Sequence, residues 1–229
     1  TKFTAPDEVI SNSNSPLPFM QSSHKWHFYL VMSKKCCIFA VILTQSSTTM
    51  TFIKELSKRR SNYAHPDQAT TQAKSLDQLS SGIYTEDERF IYELLQNAVD
   101  SFSPANGSLD INIVAQEGYL VFMHNGKAFS KRDVEGLCDV GNGNKMKDIQ
   151  KIGYKGIGFK SVFRASNCVH IQSGDFCFKF DKAVWNNYWD SNWKDEYGEK
   201  DLDKNYLMPW QIIPIETTAP IQIDTTGYN

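Results

Sequence analysis

Between residues 85 and 101, apolar side chains recur with the 3.6-residue period of a helix: Phe90, Ile91, Leu94, Leu95, Ala98 and Val99, with Phe102 just beyond. Glu93, Asn97 and Asp100 fall together on the other side, at i, i+4 and i+7. Thr85-Glu86-Asp87-Glu88 reads as the capping box of this helix, the Thr85 hydroxyl taking the Glu88 N–H while the Glu88 carboxylate reaches back. The pattern then changes to a period of two. Residues 109–115 alternate apolar and polar, Gln116-Glu117-Gly118 marks a turn, and residues 119–123 form a second, more apolar run. The two predict a hairpin, closed by His124-Asn125-Gly126. A short helix is expected over 130–137, capped by Ser130 with Asp133 as its third-position acid. Residues 140–151 carry Gly141, Asn142, Gly143, Asn144, Lys145 and Lys147 and read as a mobile loop. A further hairpin is expected from 168–172 and 176–180, and a last strand over 210–216. Upstream, 57–71 is polar with little periodicity, and a short helix is expected over 73–79. Helices in a block between hairpins predict an α+β fold: a mixed, mostly antiparallel sheet with helices on one face.

The first 49 residues have a different character. Residues 1–23 are rich in Ser, Asn and Pro, a composition that favours disorder. Two apolar runs follow, 27–32 and 36–43, separated by Lys34-Lys35. Neither approaches the ~20 apolar residues that a bilayer span needs, and no small-residue cleavage site follows the second. Met50-Thr51-Phe52-Ile53-Lys54-Glu55-Leu56 suits a natural start. The expectation is therefore a poorly ordered or non-native extension over 1–49 and a working domain over 50–229 that is truncated at its C-terminal end.

Length and charge narrow the classes. A chain of 229 residues suits one good-sized domain, and 41% hydrophobic with 22% charged residues suits a soluble globular one. A net charge of -2 gives no electrostatic case for nucleic acid as the main partner. The five cysteines show no CxxC spacing, which favours reduced thiols in a cytoplasmic protein over a zinc site or a disulfide framework.

Two features carry chemistry. Gly153-Tyr154-Lys155-Gly156-Ile157-Gly158-Phe159-Lys160-Ser161-Val162-Phe163 is a glycine turn running into an apolar helix. Such a turn is either a plain tight turn or a phosphate cradle, because backbone N–H groups at a helix start point at anions and the dipole assists them. It has neither the Gly-Lys-Ser/Thr ending of a P-loop nor the strand and acidic residue of a dinucleotide turn. In the helix before it, the polar stripe is either a solvated face or a site. Asn97 offers a neutral oxygen suited to Mg²⁺, and Glu93 could take a proton from a water attacking a γ-phosphate.

The series from Glu93-Leu94-Leu95-Gln96-Asn97-Ala98-Val99-Asp100, through Asn125-Gly126 and Leu137-Cys138-Asp139-Val140-Gly141, to Lys155-Gly156-Ile157-Gly158-Phe159-Lys160-Ser161-Val162-Phe163 resembles the GHKL (Bergerat-fold) ATPases. The sacsin and Nov-type branch is the most similar, over roughly residues 75–216. The resemblance implies a two-layer α/β sandwich that binds ATP and Mg²⁺. It makes Glu93 the general base, Asn97 the Mg²⁺ ligand and Asp100 a support of the pocket. Gly126 would lie under the adenine. Gly153, Tyr154, Lys155, Gly156, Ile157, Gly158 and Phe159 would hold the phosphates, with Lys145, Lys155 and Lys160 either touching them or standing as surface lysines. His124 takes the place of the adenine-reading aspartate. Its neutral ring has one acceptor nitrogen, and Asn125 is a second candidate for that task.

The expected function is slow Mg²⁺-dependent ATP hydrolysis driving a conformational cycle in a larger protein, with the 140–151 loop as lid. The alternative is a nucleotide-gated protein-interaction module without significant hydrolysis. A protein partner or downstream domains, and a nucleotide-dependent dimer, fit either reading. None of His24, His27, His65 or His170 sits in a dimerisation helix, which argues against histidine phosphotransfer. Trp185, Trp189 and Trp193, at i, i+4 and i+8, are either an inward-packing helical stripe or an aromatic docking face.

Overall fold

Both expected hairpins form. In the computed structural model, which describes residues 28–33, 51–82, 89–116, 118–140, 158–193, 197 and 204–217, β2 (Ile111–Gln116) pairs with β3 (Tyr119–His124), and β4 (Cys168–Ser173) with β5 (Phe176–Asp181). Gly118 turns the first with φ 89° and Gly174 the second with φ 57°, backbone angles that side chains disfavour.

Between the hairpins runs β1 (Phe28–Ser33), antiparallel to β3 on one side and β4 on the other. With β6 (Ile215–Glu216) at one edge, the order is β2-β3-β1-β4-β5-β6. The six residues of β1 belong to the stretch expected to stand outside the domain, and here they occupy the middle of its sheet. The reason is packing. Leu30 faces Phe122 and Ile171, Met32 faces Val169, and both side chains are buried. The rest of 1–49, apart from β1, is outside the described residues.

Four helices cover that face of the sheet: α1 (Phe52–Ser61), α3 (Arg89–Ser101), α4 (Lys131–Leu137) and α5 (Val162–Ala165), with α2 (Pro66–Gly82) following α1. Their residues Ile53, Leu56, Leu94, Ala98, Val134 and Val162 share one core with Leu30, Phe122, Val169, Ile171, Phe178 and Phe180. Burial of each large side chain there contributes about 1.5–3 kcal/mol. The α+β arrangement with helices against one sheet face is thus present. A second, smaller core joins Ala69 and Leu76 of α2 to Trp189, Met208, Ile212 and Ile213.

Three local expectations change. The 57–71 stretch, read as polar, holds half of α1 and the start of α2, and α2 runs well beyond 73–79. Its inward stripe is Ala69, Ala73 and Leu76, whose small alanines give little hydrophobic signal. The expected strand over 210–216 is instead a 3-10 turn, Trp210–Ile212, followed by the two residues of β6. Pro214 lacks the N–H that a continuous ladder needs. The tryptophan stripe is broken: Trp185 ends α6 (Lys182–Trp185), Trp189 lies in α7 (Tyr188–Ser191), Asn186-Asn187 separate them, and Trp193 stands beyond α7. Trp189 is buried, and Trp193 stacks near Tyr197 and Tyr206, so these rings pack inward. Among the described residues, no helix is long and apolar enough to cross a membrane.

Candidate functional site

Helix α3 turns Leu94 and Ala98 into the core and leaves Tyr92 and Val99 exposed, at 68% and 59%. Val99, expected on the apolar face, stands outside the buried stripe. Glu93, Asn97 and Asp100 lie between these extremes, each half-buried. The polar stripe is therefore neither core nor free surface but a flank against other elements. The Thr85 capping box lies outside the described residues.

At one end of that flank, Glu93 meets the last glycine of the turn. A methyl group placed on Gly158 would come within 2.0 Å of Glu93 Oε2 and 2.7 Å of its Cδ. With the Glu93 carboxylate in this position, only a residue without a side chain fits there. Gly158 opens a 3-10 turn, Gly158–Ser161, that runs into α5. The Ser161 hydroxyl donates to the Gly158 carbonyl at 2.6 Å and tightens that turn. The helix and the glycine motif, far apart in the chain, are in contact through these two residues.

At the other end, two turns along α3, Ser101 meets Gly126. A methyl group on Gly126 would approach Ser101 Oγ to 2.0 Å and His124 Nδ1 to 2.8 Å. The Lys127 N–H donates to the Ser101 carbonyl at 3.0 Å, fixing the turn after β3 to the helix end. Ser101 was not among the expected site residues. Its spacing of i+8 from Glu93 was the available signal.

His124 is buried, and its Nδ1 accepts the Gly126 N–H at 3.0 Å. The ring's acceptor is thereby engaged, and the tautomer assigned by that bond carries its proton on Nε2. The expectation that this ring accepts the adenine amino proton changes accordingly: Nε2 is a donor. Asn125 is engaged as well. Its Oδ1 accepts the Asp110 N–H at 2.8 Å and its Nδ2 donates to the Ser108 carbonyl at 3.0 Å. It closes the chain before β2 against the end of β3.

Lys160 and Phe159 point into the protein. The Lys160 ammonium donates to the carbonyls of Leu137 and Gln211, and Phe159 packs edge-on to Phe163. The side chain of Lys160 is thus committed to main-chain carbonyls rather than to a phosphate. Lys145, Gly153, Tyr154, Lys155, Gly156 and Ile157 lie outside the described residues.

Among the described residues, no group of three or more His, Cys, Asp or Glu side chains could hold a metal ion. A magnesium ion carried on nucleotide phosphates asks for only one or two protein oxygens, fewer than such a group. A cavity of about 560 Å³ lies elsewhere, between the end of α1 and the Tyr188-Trp189 rings, and contains none of the expected site residues. The contact of Glu93 with Gly158 is the better guide, because it joins two of the expected site residues.

The arrangement is that of an α+β domain in which a helical carboxylate, one turn before a carboxamide, meets Gly158. The chain matches the family model of the Sacsin domain over residues 79–226, more than half its length and the whole of the expected site. It belongs to the Sacsin domain family. It is 35% identical to Protein NO VEIN of Arabidopsis thaliana over 143 residues, 62% of this chain and 5% of that protein. It is 26% identical to Sacsin of Homo sapiens over 125 residues, 49% of this chain and 3% of that protein. The chain thus spans only a small part of either relative.

Proposed function

We propose that this domain binds ATP with Mg²⁺ and hydrolyses it slowly, in the manner of a GHKL ATPase, as one working part of a larger protein. The carrying observation is the closure of Gly158 on the Glu93 carboxylate, one helical turn before Asn97. On this reading the phosphates lie along the 153–159 turn and Asn97 gives the magnesium a neutral oxygen. Glu93 takes the proton of the attacking water. Gly126, bare against Ser101, is the adenine end, and Asp100 supports the pocket between. About 12 Å of helix axis separates Glu93 from Ser101 at the usual rise per residue, a length suited to a nucleoside triphosphate. Lys145 and Lys155 are the phosphate contacts that this reading retains. With a donor rather than an acceptor at His124, discrimination between adenine and guanine is weak.

The test is calorimetric titration of Mg²⁺–ATP and Mg²⁺–GTP into the wild type and Asn97→Ala. Saturable ATP binding is expected, weakened about tenfold or more in Asn97→Ala, as for loss of a hydrogen bond to a charged group. Wild-type protein that binds neither nucleotide would overturn the reading.

A nucleotide-gated interaction module without significant hydrolysis is the second reading. It is favoured by the burial of Lys160, which takes one positive charge away from the developing transition state. Binding without phosphate release would select it.

A further inference from the structure

A lysine ammonium removed from water is strongly disfavoured unless specific partners hold it. Lys160 is 4% exposed. Its Nζ donates to the Leu137 carbonyl and, at 3.0 Å, to the Gln211 carbonyl. It lies 5.5 Å from the ring centroid of Phe163 and 5.7 Å from that of Phe180. Burial above all lowers its pKa from 10.5 to about 8; Cys138 and Asp139 oppose that shift and Arg60 adds to it.

The partners come from separate parts of the chain. Leu137 ends α4, whose final carbonyls carry partial negative charge and have no partner within the helix. The residues of the 141–157 stretch follow shortly after. Lys160 itself stands just beyond that stretch, two residues after Gly158. Gln211 belongs to the 210–212 turn, and its side-chain amide donates to Asp77 Oδ1 of α2 at 2.7 Å. The end of α4 is also held from α1, by Arg59 on Glu135 at 2.8 Å and Arg60 on Asp139 at 3.1 Å. The end of α4, the 158–161 turn and residue 211 are therefore fastened to one another through one buried ammonium.

We propose that Lys160 is a positioning residue: by joining the end of α4 to residue 211, it fixes the 158–161 turn so that Gly158 stays closed on Glu93. The geometry stands by itself; the catalytic consequence rests on the ATP reading above. An apolar side chain of equal length would fill the space but leave two carbonyls without a donor. Glutamine would restore N–H donors without the charge.

The experiment compares the wild type with Lys160→Met and Lys160→Gln in thermal melting, amide exchange, ATP affinity and ATP turnover. Relief of the buried charge offsets the lost bonds, so Lys160→Met is expected to melt within about 4 °C of the wild type. Its kcat is expected to fall about 10–100-fold, as misplacement of reacting groups does, with ATP Kd changed less than about threefold. Amides 158–161 should exchange faster while those of β4 and β5 do not, and Lys160→Gln should recover part of both losses. A purely structural role would instead lower melting temperature, affinity and kcat together.

The wild type alone gives a second readout. An opened turn returns Lys160 to its ordinary pKa, so opening takes up a proton between pH 8 and 10.5. Protection of 158–161, corrected for intrinsic exchange, should therefore rise as pH rises through that window. The Cys138 thiol, pushed up to about 12 mainly by burial, does not titrate there. Unchanged kcat and exchange in a folded Lys160→Met would overturn the proposal, as would protection flat with pH should that variant not fold. Absent ATP binding in the wild type would overturn the ATP reading alone, and amide exchange would still decide the lock.

Discussion

A methyl group on Gly158 would need the space that the Glu93 carboxylate occupies. The obstructing atoms are the far end of a flexible side chain, so the fold can absorb the change by swinging Glu93 aside. Gly158→Ala is therefore expected to alter stability by less than about 1 kcal/mol while cutting ATP turnover about 10–100-fold. Melting curves beside turnover rates check both halves. His124 offers a second test at this scale. Because Nδ1 accepts the Gly126 N–H, nitrogen NMR of the ring should show a bare Nδ1 and a protonated Nε2 at neutral pH; the opposite tautomer would contradict the assignment. Glu93 and Asn97 were legible in the sequence because helical period alone sets them on one side. The engagement of Asn125 and the inward turn of Lys160 were not, since each depends on carbonyls or amides supplied from elsewhere in the chain.

Among the elements, α4 was the most legible. The Ser130 hydroxyl accepts the Asp133 N–H while the Asp133 carboxylate accepts the Ser130 N–H at 2.8 Å, a reciprocal pair written within four residues. Ser130→Ala is expected to cost about 1 kcal/mol, read by denaturant unfolding. That loss falls on the helix whose other end Lys160 grips. Elements whose identity depends on distant neighbours were less legible. Helix α2 hides its stripe in alanines, and a proline stops the ladder in the expected 210–216 strand. The three tryptophans have helical spacing yet fall on two short helices and the residues beyond, where their rings pack on Tyr188, Tyr197 and Tyr206.

The whole molecule is organised by a sheet whose centre is β1, and no local pattern announces which two strands it will separate. That pairing is long-range, and only the burial of Leu30 and Met32 against both neighbours explains it. On the sheet face away from the helices, Val121, Met123, Cys168 and His170 are buried too. Among the described residues, neither ring nitrogen of His170 has a hydrogen-bond partner. Burial, with some help from Lys179 and against Asp181, lowers its pKa from 6.5 to about 4. The unfolded chain thus binds this proton more readily than the folded one. Stability should fall as pH drops from 6.5 through 4, and His170→Gln should remove that part of the acid sensitivity in urea titrations across the window.

The central claim is that Glu93, held against the glycine turn, activates water on a bound nucleotide. Its most direct test is single-turnover release of labelled γ-phosphate from Mg²⁺–ATP by the wild type and Glu93→Gln. The account predicts slow release by the wild type and a loss of about 100-fold or more in Glu93→Gln, with ATP affinity kept within about threefold. Equal rates in the two proteins would contradict it.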